Sequence, residues 1–252
     1  MRTDMLQQLE GVVRRAGDIV REAHDIERAT MEKHGAADLV TKYDVAVQGF
    51  LQRELLALLP EADFLGEEGD HTALTRPWTF IVDPIDGTTN FVRRLHYSDI
   101  SVALAQDGQT QYAVVYDPFA DELFSAQKDG GAFCNGLPIR VSERDMAHAV
   151  FLCGSTIYDR SLTEQNFSLI RQLYEKGLDF RRFGAAALDL CQVEVFGECC
   201  LSPWDYAAGS LIITEAGGIV TDFSDTAPNV LRPSSVFASN ARCHSVLKEL
   251  EL

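Results

Sequence analysis

The chain has 252 residues and a formal net charge of −16, from 22 basic and 38 acidic residues. That length suits one large domain or two small ones, and a hydrophobic share of 46% is enough to form a sizeable core. No window approaches the roughly 18 consecutive apolar residues of a membrane span. The first twenty residues carry charges throughout, so no secretory signal is predicted. The negative charge disfavours non-specific binding to nucleic acid or to an anionic membrane.

The six cysteines form no CxxC pair. Without a secretory signal, this usage favours a reduced, cytoplasmic setting in which the cysteines are small apolar side chains. No Cys/His cluster has the spacing of zinc ligands. The histidines are scattered, and none stands in a Ser/His/Asp or Cys/His pattern, so a catalytic histidine is not predicted for any of positions 24, 34, 71, 96, 148 and 244.

Apolar residues recur at spacings of three and four between Leu6 and Ala23, which predicts an amphipathic first helix. The same spacing predicts a second helix over 44–59, ended by Pro60. Similar patterns predict four later helices, over 162–176, 185–195, 205–216 and 244–250.

Short apolar runs between these helices predict strands. Four lie in the first half, and the turn residues between the later three favour an antiparallel meander, with strands over 79–82, 98–105, 110–116 and 122–126. Four more follow, over 150–153, 180–183, 219–221 and 236–239. No Pro/Gly/Ser-rich linker divides the chain, so we expect a single unit over 1–252, in which an α+β lobe (about 1–142) is tightly joined to an α/β lobe (about 143–252).

Three separated segments place carboxylates beside apolar residues: FLGEEG (64–69), IVDPIDGTTNF (81–91) and SPWDYAAG (202–209). A buried carboxylate is costly unless it is paired or binds a metal. None of the three segments contains a lysine, so a hard divalent cation is the expected partner. Oxygen ligands of this kind suit Mg²⁺, Mn²⁺ or Ca²⁺ rather than zinc.

The middle segment is the most informative. Pro84 keeps Asp83 extended, so Asp83 and Asp86 flank a tight turn. Both carboxylates and the Ile85 carbonyl can then point into one cavity. A single Asp-Pro or Asp-Gly pair is usually an ordinary turn, and only the whole eleven-residue string indicates a site.

An anion site is predicted beside this cation site. Gly87 allows a ligand to approach the backbone closely, and residues 88–90 are typical of a helix start. The free N–H groups of such a start bind phosphate. Carboxylates for cations and amides for a phosphate are the components of metal-assisted phosphoryl transfer to water.

These strings resemble the inositol monophosphatase family of lithium-sensitive, magnesium-dependent phosphatases, and DLVTKYD (38–44) and TEAGG (214–218) fit it too. The resemblance covers nearly the whole chain. It implies a five-layer αβαβα sandwich of the inositol monophosphatase and fructose-1,6-bisphosphatase type, in a cytoplasmic homodimer. It also implies two or three Mg²⁺ ions, with Mn²⁺ as an alternative and Ca²⁺ or Li⁺ as inhibitors.

By position, the resemblance also implies roles for individual residues. The metal ligands are Glu67, Asp83, the Ile85 carbonyl, Asp86 and Asp205. The phosphate rests on the Gly87 and Thr88 amides. Thr88, backed by Asp44, and Glu67 orient the attacking water and help to deprotonate it.

The resemblance implies fewer residues for the substrate wall, the surface that would contact the alcohol part of the substrate. Lys33 matches a basic residue near the metal and phosphate site, and residues 184–186 (Gly184, Ala185 and Ala186) match backbone that lines the sugar. Glu198, seven residues before Asp205, matches an acid that accepts substrate hydroxyls. The segment between Cys191 and Trp204 is shorter than in the family, so Glu194 remains a competitor, and so does a wall with no acidic contact.

The function implied is a phosphoric monoester hydrolase, in which a metal-activated water attacks in line and converts inositol monophosphate to inositol and phosphate. The same chemistry on 3′-phosphoadenosine 5′-phosphate or fructose 1,6-bisphosphate is the alternative, and the TTNF string favours the inositol branch. A different class is a protein-binding accessory role on the same fold. The expected partner is a small-molecule phosphate monoester, without membrane or nucleic acid.

Overall fold

The computed structural model describes residues 2–33, 39–69, 73–192 and 194–251. The expectations for His34, His71 and Asp38 lie outside the described residues. The described chain contains seven α-helices and fourteen strands, in the order α1 Arg2–Arg21, β1 Thr30–Glu32, β2 Leu39–Thr41, α2 Lys42–Leu58, β3 Asp63–Gly66, β4 Trp78–Asp86, α3 Thr88–Val92, β5 Asp99–Gln106, β6 Gln109–Asp117, β7 Glu122–Gln127, β8 Gly131–Cys134, β9 Leu137–Pro138, β10 Val150–Cys153, α4 Thr163–Lys176, β11 Asp179–Arg181, α5 Ala186–Gln192, β12 Val195–Leu201, α6 Pro203–Glu215, β13 Ile219–Thr221, β14 Ser234–Ser239 and α7 Ala241–Leu247.

The first large sheet has seven strands, in the order β3-β4-β5-β6-β7-β8-β9. β3 runs parallel to β4, and the other neighbours are antiparallel, which confirms the predicted meander. Helices α1 and α2 cover one face, where apolar residues such as Leu9, Leu51 and Val114 form a core with no exposed surface. The stripe predicted for α1 is therefore the face that packs on this sheet.

The second large sheet has five strands, in the order β11-β10-β12-β14-β13. Helices α5 and α6 lie between the two sheets, and their core residues pack against side chains of both. Helices α4 and α7 cover the outer face of the second sheet, where Leu173 and Cys243 are fully buried. The layers are therefore helices, sheet, helices, sheet, helices, which confirms the predicted αβαβα sandwich.

The helix predicted over 185–195 is wrong at its end. Helix α5 stops at Gln192, and Val195 begins β12, a central strand between β10 and β14. Both faces of this central strand are buried, so its sequence VFGECCL lacks the alternation of apolar and polar residues that would reveal a strand. Most other boundaries are confirmed to within two or three residues.

β4 also continues further than predicted. Its pairing with β5 runs to Asp86, with an irregularity between Asp83 and Asp86 where the strand accommodates Pro84. Helix α3 then begins at Thr88, as predicted for residues 88–90. Five short strands, β1, β2, β3, β8 and β9, were not predicted, because two to four residues carry too little periodicity. In the part of the chain that is described, no helix is both long and apolar enough to cross a membrane.

Candidate metal and phosphate site

Two carboxylates come from the irregular end of β4. Asp83 is almost fully buried and Asp86 is 8% exposed. One oxygen of each is held by a backbone amide: Ile85 N donates to Asp83 Oδ1 at 3.1 Å, and Ala187 N donates to Asp86 Oδ2 at 2.7 Å. The second bond ties the β4 turn to the first turn of α5.

The third carboxylate comes from α6. Asp205 is the third residue of that helix and forms a capping box with Ser202, whose N–H donates to Asp205 Oδ2 at 2.7 Å. The fold brings one oxygen each of Asp83, Asp86 and Asp205 within 4.8 Å of one another. Within the described ranges, none of the three forms an ion pair with a lysine, arginine or histidine.

The electrostatics of this acidic cluster favour a cation. Burial raises the pKa of Asp86 to about 6, and burial together with repulsion from neighbouring carboxylates raises the pKa values of Asp83 and Asp205 well above the ordinary value. Like charges held this close are unstable without a counter-ion. Because the donor set is entirely oxygen, it fits Mg²⁺ or Mn²⁺.

Glu67 lies beside this cluster but already has a protein counter-ion. It follows β3, and its N–H donates to Val82 O at 3.1 Å. Lys33 Nζ lies 3.0 Å from Glu67 Oε1 and also pairs with Glu68. The segment itself contains no lysine, and Lys33 reaches Glu67 from a distant part of the chain. Burial raises the pKa of Glu67 to about 7, against the opposing effect of Lys33.

Thr88 and Asp44 are in contact. Thr88 Oγ1 lies 3.2 Å from Asp44 Oδ1 and 3.1 Å from the Ile85 carbonyl oxygen, so its single proton has two acceptors. Asp44 is fully buried, and its other oxygen accepts bonds from Thr41 N at 2.7 Å and Thr41 Oγ1 at 2.6 Å. The carboxylate is thus fixed by the capping box of α2, and burial raises its pKa.

Gly87 joins the cluster to the predicted sugar-lining backbone. Its φ of 79° lies in the left-handed region, and a Cβ there would stand 3.1 Å from Ala185 Cβ and from Gly184 O. Residues 184–186 therefore lie against the turn that begins α3. Asn90 Nδ2 reinforces this contact by donating to Phe183 O at 2.7 Å.

The two competing acids have different surroundings. Glu198 is buried in β12, and its Oε1 accepts a bond from Thr156 N at 3.0 Å. Burial raises the pKa of Glu198 to about 7, with repulsion from Asp86 as a smaller contribution. Glu194 instead pairs with Arg144 and accepts a bond from Val150 N at 3.0 Å. The structure therefore brings Glu198, not Glu194, toward the acidic cluster.

Two further buried acids were missed by the sequence reasoning. Asp99 stands opposite Asp86 in the β4–β5 ladder, and neither of its oxygens meets a hydrogen-bond donor among the described residues. Asp189, on α5, accepts a bond from Tyr97 Oη at 2.7 Å, and burial raises its pKa to about 7. An acid at the first position of β5, directly before its apolar run, was a sequence signal for Asp99, whereas no pattern marked Asp189.

The profile of the inositol monophosphatase family matches residues 1–251. The chain belongs to this family. It is 35% identical over 237 residues to the Nus factor SuhB of Salmonella typhimurium, covering 91% of this chain and 88% of that protein. It is 37% identical over 229 residues to the inositol monophosphatase of Dictyostelium discoideum, covering 86% and 84%.

Solved structures of family members share the fold. The extragenic suppressor protein suhB from Bartonella henselae superposes with a TM-score of 0.90 at 30% identity, over 98% of each chain. An IMPase from Thermotoga maritima gives a TM-score of 0.85 at 31% identity, over 98% of this chain and 96% of that one. The resemblance stated from the motifs is therefore confirmed, as is the sandwich fold that it implied.

Proposed function

We propose that this chain is, as a single catalytic unit, a magnesium-dependent hydrolase of phosphate monoesters, with inositol monophosphate as its first candidate substrate. The observation that carries the proposal is the acidic cluster. Oxygens of Asp83, Asp86 and Asp205 lie within 4.8 Å of one another, beside the Thr88 start of α3. An oxygen-only cation site next to helix amides suits an ester that binds both a metal and the chain through its phosphate.

The residues that would hold the metal follow from the donor set: Asp83, Asp86 and Asp205, with Glu67 and the Ile85 carbonyl at the edge of the cluster. Two or three Mg²⁺ ions are proposed, with Mn²⁺ as a substitute. Bound magnesium would lower the pKa of a water molecule and stabilise the negative charge that develops on the leaving oxygen.

The chain's own residues would place the phosphate and the proton. The Gly87 and Thr88 amides at the start of α3 would accept the phosphate. A threonine hydroxyl is a weak base, so Thr88 needs Asp44 as the acceptor of its proton. When the Thr88 proton points at Asp44 Oδ1, 3.2 Å away, a lone pair of Thr88 Oγ1 is free to orient the attacking water.

The substrate's alcohol would lie against backbone at residues 184–186 and against Glu198, which would accept a hydroxyl. Lys33 would hold Glu67, to which it donates at 3.0 Å. The same metal and phosphate groups would serve 3′-phosphoadenosine 5′-phosphate or fructose 1,6-bisphosphate, so the alternatives differ only in this wall.

The test is phosphate release by purified protein, with and without Mg²⁺. The substrates are inositol 1-phosphate, glycerol 2-phosphate, 3′-phosphoadenosine 5′-phosphate and fructose 1,6-bisphosphate. We expect Mg²⁺-dependent turnover that is fastest for the inositol ester and is lowered by Li⁺ or Ca²⁺. A preference for another of these esters would support the proposed reaction but assign it a different substrate. No Mg²⁺-dependent release from any of the four would contradict the proposal.

A second candidate function is a protein-binding accessory role. It is favoured by the relatives from Salmonella and Escherichia coli, 34–35% identical to this chain, that are named Nus factor SuhB. Both roles are compatible with a homodimer in the cytoplasm. Proteins captured from a lysate by Asp83→Asn and by charge-reversed surface variants would separate the two roles, because binding that depends on the surface and not on Asp83 favours the accessory role.

A further inference from the structure

The carboxylate of Glu198 occupies space that exists only because residue 154 is glycine. A Cβ built on Gly154 would stand 1.7 Å from Glu198 Oε2 and 1.9 Å from Glu198 Cδ. Gly154 is not among the glycines with positive φ, so its backbone does not need glycine's conformational freedom. Glycine at this position therefore serves the close approach of the carboxylate.

Thr156 supplies both of the observed donors to this carboxylate. Its N–H lies 3.0 Å and its hydroxyl 3.3 Å from Glu198 Oε1. Its φ of 40° is in the left-handed region, which a β-branched residue rarely adopts. Such a conformation persists only where its surroundings enforce it, and here it directs two donors from one residue at the same oxygen.

Asn166 extends the network behind Thr156. This α4 residue is 2% exposed, and its Oδ1 lies 3.4 Å from Thr156 Oγ1. Its Nδ2 has no hydrogen-bond partner among the described residues. If the side-chain amide of Asn166 is rotated by 180°, Nδ2 donates to Thr156 Oγ1. The Thr156 hydroxyl proton is then donated to Glu198 Oε1. A buried amide at this place thus supports the donor role of Thr156.

All the described hydrogen bonds to Glu198 end on Oε1. Oε2, the oxygen nearest the Cβ position of Gly154, accepts none of these bonds. Because a carboxylate accepts and never donates when ionised, its natural ligand is an alcohol O–H. A site built to bond a substrate hydroxyl favours substrates that carry it over analogues that lack it, since the buried acceptor is left unpaired with the analogue.

We propose that Gly154, Thr156 and Asn166 are positioning residues of the Glu198 carboxylate: Gly154 leaves the space that it occupies, Thr156 and Asn166 hold Oε1, and Oε2 accepts a hydroxyl of the substrate and so selects polyol phosphates. The proposal rests on the proposed phosphatase function and adds the residues that set its substrate preference. Phosphate esters that lack a hydroxyl near the ester carbon would still be hydrolysed, but without any contribution from these three residues.

The test compares two substrates in the full-length protein with Mg²⁺: inositol 1-phosphate, a polyol ester, and 4-nitrophenyl phosphate, which has no free hydroxyl. Thr156→Val keeps the shape and removes the hydroxyl donor. We expect kcat/KM for inositol 1-phosphate to fall about 10-fold or more, mainly through KM, because a hydrogen bond to a charged group is lost. With 4-nitrophenyl phosphate we expect less than about a twofold change, and Thr156→Ser should recover most of the loss.

Further variants keep the proposal testable if Thr156→Val fails to fold. Gly154→Ala should displace the Glu198 carboxylate and reproduce the substrate-dependent loss of Glu198→Gln. Asn166→Leu should give a smaller loss of the same kind. The losses of Thr156→Val and Glu198→Gln should not add, because both act on one carboxylate. Thr163→Val, at the start of α4, makes the same chemical change where the hydroxyl donates to Arg160 O, and should leave both rates unchanged.

Equal losses for the two esters in these variants, or no loss for either, would overturn the positioning proposal alone. An unchanged protein that releases no phosphate from either ester with Mg²⁺ would instead contradict the proposed function, and the positioning proposal with it. Thermal unfolding of each variant gives its fraction folded, so a loss of stability is not read as a change of specificity.

Discussion

The acidic cluster (Asp83, Asp86 and Asp205) and the Glu198 pocket (Glu198 with Gly154, Thr156 and Asn166) bury carboxylates in different ways. In the cluster, Asp83, Asp86 and Asp205 each accept a backbone N–H and still face one another. In the pocket, Glu198 accepts two donors from Thr156 on a single oxygen. The cluster therefore keeps a surplus of negative charge for a cation, whereas the pocket keeps one free oxygen for a neutral hydroxyl.

The largest effect is expected for Asp83→Asn. Loss of a direct ligand should lower Mg²⁺-dependent kcat/KM by more than about 100-fold, because loss of an outer-shell partner alone costs 10- to 100-fold. In EDTA the same change should raise the melting temperature, because it removes one of several repelling charges. The measurements are phosphate release and thermal unfolding, each with Mg²⁺ and with EDTA.

Asp129→Asn is the matched control for that experiment. Asp129 is an exposed residue with a φ of 60°, which asparagine also tolerates, so the charge change is the same away from the cluster. It should change neither the activity nor the stabilisation by Mg²⁺. If Asp83→Asn retained substantial Mg²⁺-dependent turnover, the acidic cluster would not be the cation site. The proposed difference between the cluster and the Glu198 pocket would then be wrong.

Thr88→Val should give the next largest loss. It removes the hydroxyl that links Asp44 to the start of α3 but leaves the helix amides in place. We expect kcat to fall about 100-fold for every ester, with little change in KM, because proton transfer is impaired and phosphate binding is not. Thr88→Ser should keep most of the activity.

The two regions can also be compared through two threonines, since Thr88 contacts the buried carboxylate of Asp44 and Thr156 contacts that of Glu198. Thr88 should affect kcat for all esters, whereas Thr156 should affect KM for polyol esters only. A rise in KM without a fall in kcat in Thr88→Val would place Thr88 in substrate binding and contradict the proton-transfer role.

The two regions also differ in how well the sequence predicts them. Asp83, Ile85, Asp86 and Thr88 lie within six residues, so one strand and one turn determine their arrangement, and the motif predicted the turn and the start of α3. Asp205 needs only the separate capping signal of α6. Local rules therefore suffice for most of the cluster.

The Glu198 pocket depends on packing between distant segments. β12 lies between β10 and β14, and Gly154 follows β10. No local pattern indicates that this glycine leaves space for an acid 44 residues later. The choice between Glu194 and Glu198 stayed open for the same reason, since the side that each faces depends on where β12 begins. Lys33 at Glu67 is another contact between distant segments, and only the family resemblance, not a local pattern, placed a basic residue there.

The stability of the metal-free protein should depend on pH. Burial raises the pKa of Glu67 from 4.5 to about 7 and that of Asp86 from 3.8 to about 6. Between these values the folded protein binds more protons than the unfolded chain, so the free energy of unfolding falls as pH rises through the window. In EDTA we expect the melting temperature to fall by several degrees between pH 5 and pH 8.

Mg²⁺ should reverse much of that fall, because it binds the ionised carboxylates of the folded state. Asp83→Asn should show a shallower fall in EDTA than the unchanged protein, since fewer like charges remain to repel one another. A melting temperature in EDTA that is constant between pH 5 and pH 8 would show that the cluster's charges are already compensated.

The smallest effect is expected for Glu194→Gln. The Arg144 partner of Glu194 is well exposed, with 62% of its side-chain surface accessible, so the ion pair contributes little. We expect the free energy of unfolding to fall by less than about 1 kcal/mol, with the turnover of inositol 1-phosphate and 4-nitrophenyl phosphate unchanged. Glu198→Gln is the matched variant four residues later, in β12, and it should lower turnover of the inositol ester about 10-fold. Urea unfolding measures the free energy of unfolding, and steady-state kinetics measures turnover.

If Glu194→Gln lowered turnover of the inositol ester and Glu198→Gln did not, the acid of the substrate wall would be Glu194. The shortened segment would then have to present its surface acid to the substrate, against the inward direction that β12 gives to Glu198.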